Sequence, residues 1–192
     1  MAIKCPWIGL QLAGSKKIQQ VLAEVGIMEK FLSPSTPALI FEELRSTFAG
    51  LWSLDSNRRD TKEICARMTA EPGKFVLKPQ LEGGGNNLYG PKIPEFISTA
   101  SPERLEAYIA MQRIFPPSNQ NYILKPEDPP TSLRLKDTIS ELGIYGYLLG
   151  DMETRKVIRN EESGHLLRTK VVGVDEGGIM AGASALDSPL VI

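Results

Sequence analysis

Three consecutive glycines follow an apolar run and a lysine: Phe75-Val76-Leu77-Lys78-Pro79-Gln-Leu-Glu82-Gly83-Gly84-Gly85-Asn86-Asn87-Leu-Tyr89-Gly90. Residues 75–78 read as a short strand stopped by Pro79, with a loop running on through Gly90. A backbone without side chains reaches positive φ at little cost, and successive amides in such a loop can converge on phosphate oxygens. Lys78 at the strand end supplies a point charge for phosphate, and Glu82 is a hard oxygen ligand suited to Mg2+. Asn86 and Asn87 add neutral donors. The spacing is neither G-x-x-x-x-G-K-[ST] nor G-x-G-x-x-G, so the two common phosphate fingerprints are excluded. The same residues also serve as plain turn chemistry, and composition alone does not separate the two readings.

Before that strand the chain reads mainly as helix. Ser15 precedes a segment in which Ile18, Val21 and Leu22 recur at helical spacing. The prolines at 34 and 37 break the chain, Leu39 to Leu51 is again apolar at helical spacing, and a third helix is expected over Thr61 to Met68. After it, Leu105 to Ile114 reads as a strand with a helical lead-in from Pro102. Further strands are expected at Tyr122–Lys125, Leu133–Leu142, Tyr145–Leu149, Lys156–Arg159 and Leu166–Val172, separated by Gly, Pro or Asp. The expectation is an α+β chain of 192 residues: a helical portion at 1–72, then a mainly antiparallel sheet with inserted helices at 73–192.

Composition removes several function classes. With 22 basic against 23 acidic residues, the chain lacks the cationic footprint of a nucleic-acid binder. No apolar run reaches the roughly 20 residues of a membrane span. Cys5 and Cys65 form no Cys-x-x-Cys pair, and His165 is the only histidine. A zinc ribbon, a disulfide scaffold and a multi-histidine metal site are therefore out of reach. The N-terminal MAIKCPW has no apolar leader core, which gives a cytoplasmic expectation.

A second candidate lies near the C-terminus. Arg168 and Lys170 alternate along a strand and so share one face, able to bind a carboxylate and a phosphate side by side. The glycine-rich stretch from Asp175 to Gly182 after them can close as a lid. An exposed cationic strand edge followed by a hairpin loop fits the same spacing. Glu141, inside an apolar strand run, needs a partner or a cavity.

These segments, in this order, resemble the eukaryotic glutathione synthetase family of ATP-grasp ligases. Its signature K-P-Q-x-E-G-G-G-N-N-x-Y-G stands at Lys78–Gly90, and Ile139-Ser-Glu141-Leu-Gly143-Ile, Gly164-His-Leu-Leu-Arg-Thr-Lys170 and the Gly-Gly-x-x-Ala-Gly tail follow. Ala2-Ile-Lys4-Cys-Pro and Gln11-Leu-Ala-Gly-x-Lys-Lys precede them.

The resemblance implies an ATP-grasp fold and ATP-dependent joining of γ-glutamylcysteine to glycine through an acylphosphate, with Mg2+. Lys4, Lys78, Tyr89, Glu141 and Lys170 then match nucleotide contacts, Glu82 a Mg2+ ligand, and Gly83, Gly84, Gly85, Asn86 and Asn87 the phosphate loop. Met111, Gln112, Arg113 and Ile114 fall at the hinge that grips adenine. Arg168 matches the contact to the substrate carboxylate, and Glu176 to Met180 the lid. Gln112 and Arg113 stand where the family often has Glu-Lys, and Glu176 replaces an Asp. Ile179 and Met180 are bulkier than usual, which bears on the acceptor amino acid.

Family enzymes are more than twice as long, and most contacts to the dipeptide are implied to lie outside these residues. A homodimer is implied as well. Two readings follow: the C-terminal part of a full ligase, or a non-catalytic nucleotide- or glutathione-binding paralogue partnering a full-length subunit. Retention of both Lys78 and Glu82 favours the first.

Overall fold

Ser15 caps a helix as its type requires: its hydroxyl accepts from the Ile18 amide at 3.4 Å. The computed structural model describes residues 6–81, 85–124, 129, 133–175, 177–179 and 182–189. Helix α1 (Ile8–Ala13) leads into the capped α2 (Lys16–Ala23), and α3 (Ala38–Ser46) follows a 3-10 turn at Met28–Phe31. The side chain of α2 that is buried is Gln20; its amide donates to Glu24 at 2.7 Å, and Glu24 in turn pairs with Arg58.

The helix expected from Leu39 to Leu51 stops at Ser46, and Leu51 opens strand β1 (Leu51–Ser53). Tertiary pairing overrides the helical spacing here. Trp52 must face the core, where its ring meets Phe75 at 5.7 Å with the Arg67 guanidinium 5.3 Å from its centroid. Then come α4 (Thr61–Ala70), β2 (Phe75–Pro79), β3 (Leu88–Tyr89), α5 (Lys92–Thr99), α6 (Pro102–Glu106) and β4 (Tyr108–Gln112). The stretch expected to be loop up to Gly90 thus contains a two-residue strand.

These strands form an antiparallel sheet in the order β1-β4-β2-β3. Opposed residues share a face, so the pairs Leu77↔Ala110, Trp52↔Ala110 and Leu77↔Leu88 place those side chains together. They pack with Ile64 and Met68 of α4 and Ile93 and Phe96 of α5 into one buried core. Burying each such side chain is worth about 1.5–3 kcal/mol.

The second sheet, in the order β5-β6-β7-β8, consists of β5 (Asn119–Asn121), β6 (Lys136–Asp151), β7 (Lys156–Val171) and β8 (Ala185–Asp187). The four strands expected between Leu133 and Val172 merge into one long hairpin. Gly143 does not stop β6, and Gly164, at φ +125°, pairs with Tyr145 next to the register shift between Tyr145 and Gly146. Glycine here makes a bulge where a break was expected. The strand expected at Tyr122–Lys125 lies instead at Asn119–Asn121; Lys125 is outside the described residues.

The chain divides into two compact units, Met1–Ile114 and Phe115–Ile192. Within the first unit, β1 from the stretch before residue 73 pairs with β4.

Candidate functional site

The face of the first sheet turned away from the α4–α5 core carries the candidate phosphate residues. Lys78 pairs with Ile109, Val76 with both Met111 and Tyr89, and Ser53 with Ile109. Lys78, Tyr89 and Met111 therefore share one face, by register alone. Lys78 is half-buried between Leu77 and Pro79, both buried.

At the end of the glycine run, Gly85 has φ +82°, a conformation that favours glycine. The Asn87 amide nitrogen donates to the Tyr89 hydroxyl at 3.2 Å, and the Arg113 guanidinium lies 5.9 Å from the Tyr89 ring centroid. Asn87, Tyr89 and Arg113 are thus brought together, while Gly85 and Asn86 are exposed.

Along the expected hinge, Gln112 sits on the opposite face from Met111, and its side-chain oxygen accepts from the Gly50 amide at 3.0 Å. The Gln112 amide donates to the Gly50 carbonyl at 2.7 Å and the Arg113 amide to the Lys74 carbonyl at 2.8 Å. Those two amides are engaged by the fold; Ile114 is exposed.

In the second unit, Glu141 and Arg168 are direct cross-strand partners and form an ion pair. That answers the oddity of a carboxylate in an apolar strand. Lys170, two residues on, shares the face of Arg168, as the alternation expected. Its ammonium donates to the Asp175 carbonyl at 3.0 Å, tying β7 to the start of the glycine-rich tail. Within that tail the Gly182 amide bonds Ile179 and the Ala183 amide bonds Gly178, at 2.9 and 3.1 Å, while the Ser184 hydroxyl donates to Gly177 at 3.0 Å.

The opposite face of β6 and β7 is polar at its base. Ser140 and Thr169 hydroxyls bond at 2.8 Å, and the Asp187 carboxylate accepts from Thr169 at 2.8 Å and from Asn121 at 2.9 Å. Asp187, Lys16 and Gln80 were not singled out from sequence.

Lys4, Glu82, Gly83, Gly84, Glu176 and Met180 lie outside the described residues. Among the described residues no group of three or more His, Cys, Asp or Glu could hold a metal ion.

N-terminal helices followed by antiparallel sheets, one of them backed by helices α4 and α5, define an α+β, ATP-grasp-like fold. Comparison with known proteins makes this particular. Residues 8–191 match the model described as "Eukaryotic glutathione synthase, ATP binding domain", and the chain belongs to that family. It is 44% identical over 189 residues to the glutathione synthetase of Bos taurus, covering 98% of this chain and 38% of the relative. Against the chloroplastic glutathione synthetase of Arabidopsis thaliana identity is 45% over 190 residues, covering 97% of this chain and 33% of the relative. The glutathione synthetase large chain of Schizosaccharomyces pombe is 44% identical over 188 residues, covering 98% and 36% respectively.

Among solved structures, a glutathione synthetase-like effector from Globodera pallida in its apo form superposes with a TM-score of 0.71 at 27% identity. The match covers 100% of this chain and 37% of that one. The chain thus spans little more than a third of the length of these relatives. Its homology is to ATP-dependent C–N ligases. Among the described residues no helix is long and apolar enough to cross a membrane.

Proposed function

We propose that this chain supplies the ATP cradle of a glutathione synthetase. In the reaction ATP phosphorylates the free carboxylate of γ-glutamylcysteine, and the amine of glycine then displaces phosphate from the acylphosphate, giving glutathione. The observation that carries this reading is the shared face of Lys78, Tyr89 and Met111 beside the glycine run, within a chain that belongs to the family.

Lys78 would place a fixed positive charge against the transferring phosphoryl group, and loop amides would meet its oxygens; such preorganised charge needs no reorganisation as the reaction proceeds. The base would lie along Met111 to Ile114, where amides 112 and 113 are already bonded. Mg2+ supplies charge neutralisation when bound, and Glu82 is the residue suited to it. Arg168 would take the dipeptide carboxylate. Glu141 is its partner in the absence of substrate, so an incoming carboxylate must share a guanidinium whose remaining N–H groups can serve it. Glycine is the proposed acceptor, with Ile179 and Met180 shaping its pocket.

Titration calorimetry with Mg-ATP tests the cradle. Wild type should bind, and Lys78→Ala should lose about 1.5–3 kcal/mol, the range for a hydrogen bond to a charged group. Equal affinities in the two proteins would place the nucleotide elsewhere.

A second reading is favoured by one finding, the superposition on a relative described as a glutathione synthetase-like effector. On that reading the chain binds nucleotide or glutathione without ligating. Release of ADP that depends on γ-glutamylcysteine separates the two: the ligase reading requires it once the remainder of a family enzyme is fused, and the second reading forbids it.

A further inference from the structure

We propose that Lys16 and Gln80 are positioning residues for the nucleotide site, clamping helix α2 onto the end of β2 where the chain leaves Lys78 for the glycines. The proposal rests on the nucleotide reading of that face. No role for the Gly14-Ser15-Lys16-Lys17 run follows from the cradle or from the core, yet both lysines reach back to the first sheet. The Lys16 ammonium donates to the Leu81 carbonyl at 2.6 Å. The Lys17 amide donates to the Gln80 side-chain oxygen at 3.0 Å, and its ammonium donates to the Ser53 hydroxyl at 2.7 Å.

Ser53 is 2% exposed and stands in one row with Ile109 and Lys78 across the sheet. On its other side the Gln80 backbone amide donates to the Ala107 carbonyl at 3.1 Å. Gln80 is therefore held by a helix through its side chain and by a neighbouring loop through its backbone.

The first turn of any helix has amides without intrahelical partners. In α2 one of them takes the Ser15 hydroxyl and another takes Gln80, so capping the helix and clamping the strand are the same act. Glycine has the largest conformational freedom to lose, so a run of three presents amides in a set place only if both flanks are fixed. The far flank is fixed by the ladder of β3 on β2, Leu77↔Leu88 and Val76↔Tyr89. The near flank lies past the end of the ladder between β2 and β4, and the α2 contacts supply what the ladder does not.

The experiment compares wild type, Lys16→Ala, Lys16→Arg, Gln80→Ala and Lys78→Ala in the full chain. Mg-ATP and adenosine are titrated by calorimetry, and backbone hydrogen exchange is followed without nucleotide. Lys16→Ala and Gln80→Ala should each weaken Mg-ATP binding about fivefold, as losing one hydrogen bond implies, and leave adenosine binding unchanged. Both should speed exchange over residues 80–90 while the α4–α5 core stays protected, and Lys16→Arg should restore both readouts.

Equal loss of adenosine and Mg-ATP binding would mean general destabilisation and overturn the proposal. Weakened Mg-ATP binding with unchanged exchange would make Lys16 a direct charge contact, which also overturns it. Wild-type behaviour of both variants, with Lys78→Ala impaired, would remove the clamp and leave the cradle standing. A wild type that binds no Mg-ATP would remove both.

Discussion

Among the described residues the two sheets have four strands each but differ in the side chains they bury. Among the described residues every buried hydrophobic lies at or before Ala110, around β1-β4-β2-β3. In β5-β6-β7-β8 the buried side chains are Thr138 and Thr169. The first sheet is sealed by α4 and α5 on one face, and Ile109, on the other, is fully buried. The second holds together through a long backbone ladder and the Ser140–Thr169–Asp187–Asn121 hydrogen bonds. Its run from Ile144 to Leu149 is apolar toward both faces, the pattern of a strand covered on both sides. Yet Ile144, Leu148 and Leu149 are 64%, 58% and 53% exposed. Rigidity therefore sits with the first sheet, while the hairpin beyond Gly143 is the part expected to open at low free energy.

The sharpest way to break that contrast is a matched pair of truncations. Leu77→Ala should cost about 2–5 kcal/mol, the range for a leucine in a packed core. Leu149→Ala should stay within about 0.5 kcal/mol, as for an exposed position. Urea unfolding followed by far-UV circular dichroism reads both. Comparable losses would show that the hairpin is covered after all.

The polar base of the second sheet comes next. Thr169→Val keeps the shape but strips two hydrogen bonds, one of them to the Asp187 carboxylate. About 1–3 kcal/mol should be lost, seen as faster exchange of the β7–β8 amides. Unchanged exchange would deny the network any role in holding β8.

Much of the first unit was legible in the sequence because its cues are local. The Ser15 cap, the apolar run stopped at Pro79 and the helical lead-in from Pro102 before a strand each need only neighbours along the chain. The failures were long-range. Leu51 fits a helical stripe, yet pairing with Met111 makes it strand. Gly143 and Gly164 look like punctuation, and only the register shows that one is passed over and the other makes a bulge. The site divides the same way. Alternation placed Arg168 and Lys170 on one face, whereas the identity of the Glu141 partner depends on a pairing that no period encodes. The clamp from α2 joins residues more than sixty positions apart, and composition gave no hint of Gln80.

The Glu141–Arg168 pair sharpens the comparison at lower energy. It lies on the solvated side of the second sheet, so Glu141→Gln should change stability by no more than about 1 kcal/mol. Chemical denaturation checks this, and a larger loss would indicate a covered pair.

The smallest effect concerns pH. In the first unit the hydrogen bond from Arg45 holds Glu29 below the usual carboxylate range, and Arg58 does the same for Asp60. In the second, the Tyr147 hydroxyl and then Arg159 lower Glu161. A carboxyl whose folded pKa is lowered stabilises above its ordinary value, about 4. That contribution is lost as pH falls through the lowered folded value. The melting-temperature gap between wild type and Glu29→Gln should be present at pH 7 and should close on acidification toward pH 3. A gap independent of pH would mean that Glu29 acts by packing alone.

Hydrogen exchange with and without Mg-ATP tests the central claim most directly, because it reads both sheets in one sample. If the phosphate face of the first sheet is the nucleotide cradle, Mg-ATP should slow exchange across the peptide from Phe75 to Gly90 and along Tyr108 to Ile114. The hairpin segment from Ile144 to Ile158 should exchange as before. Slowed exchange confined to that hairpin, or none anywhere at saturating Mg-ATP, would contradict the account.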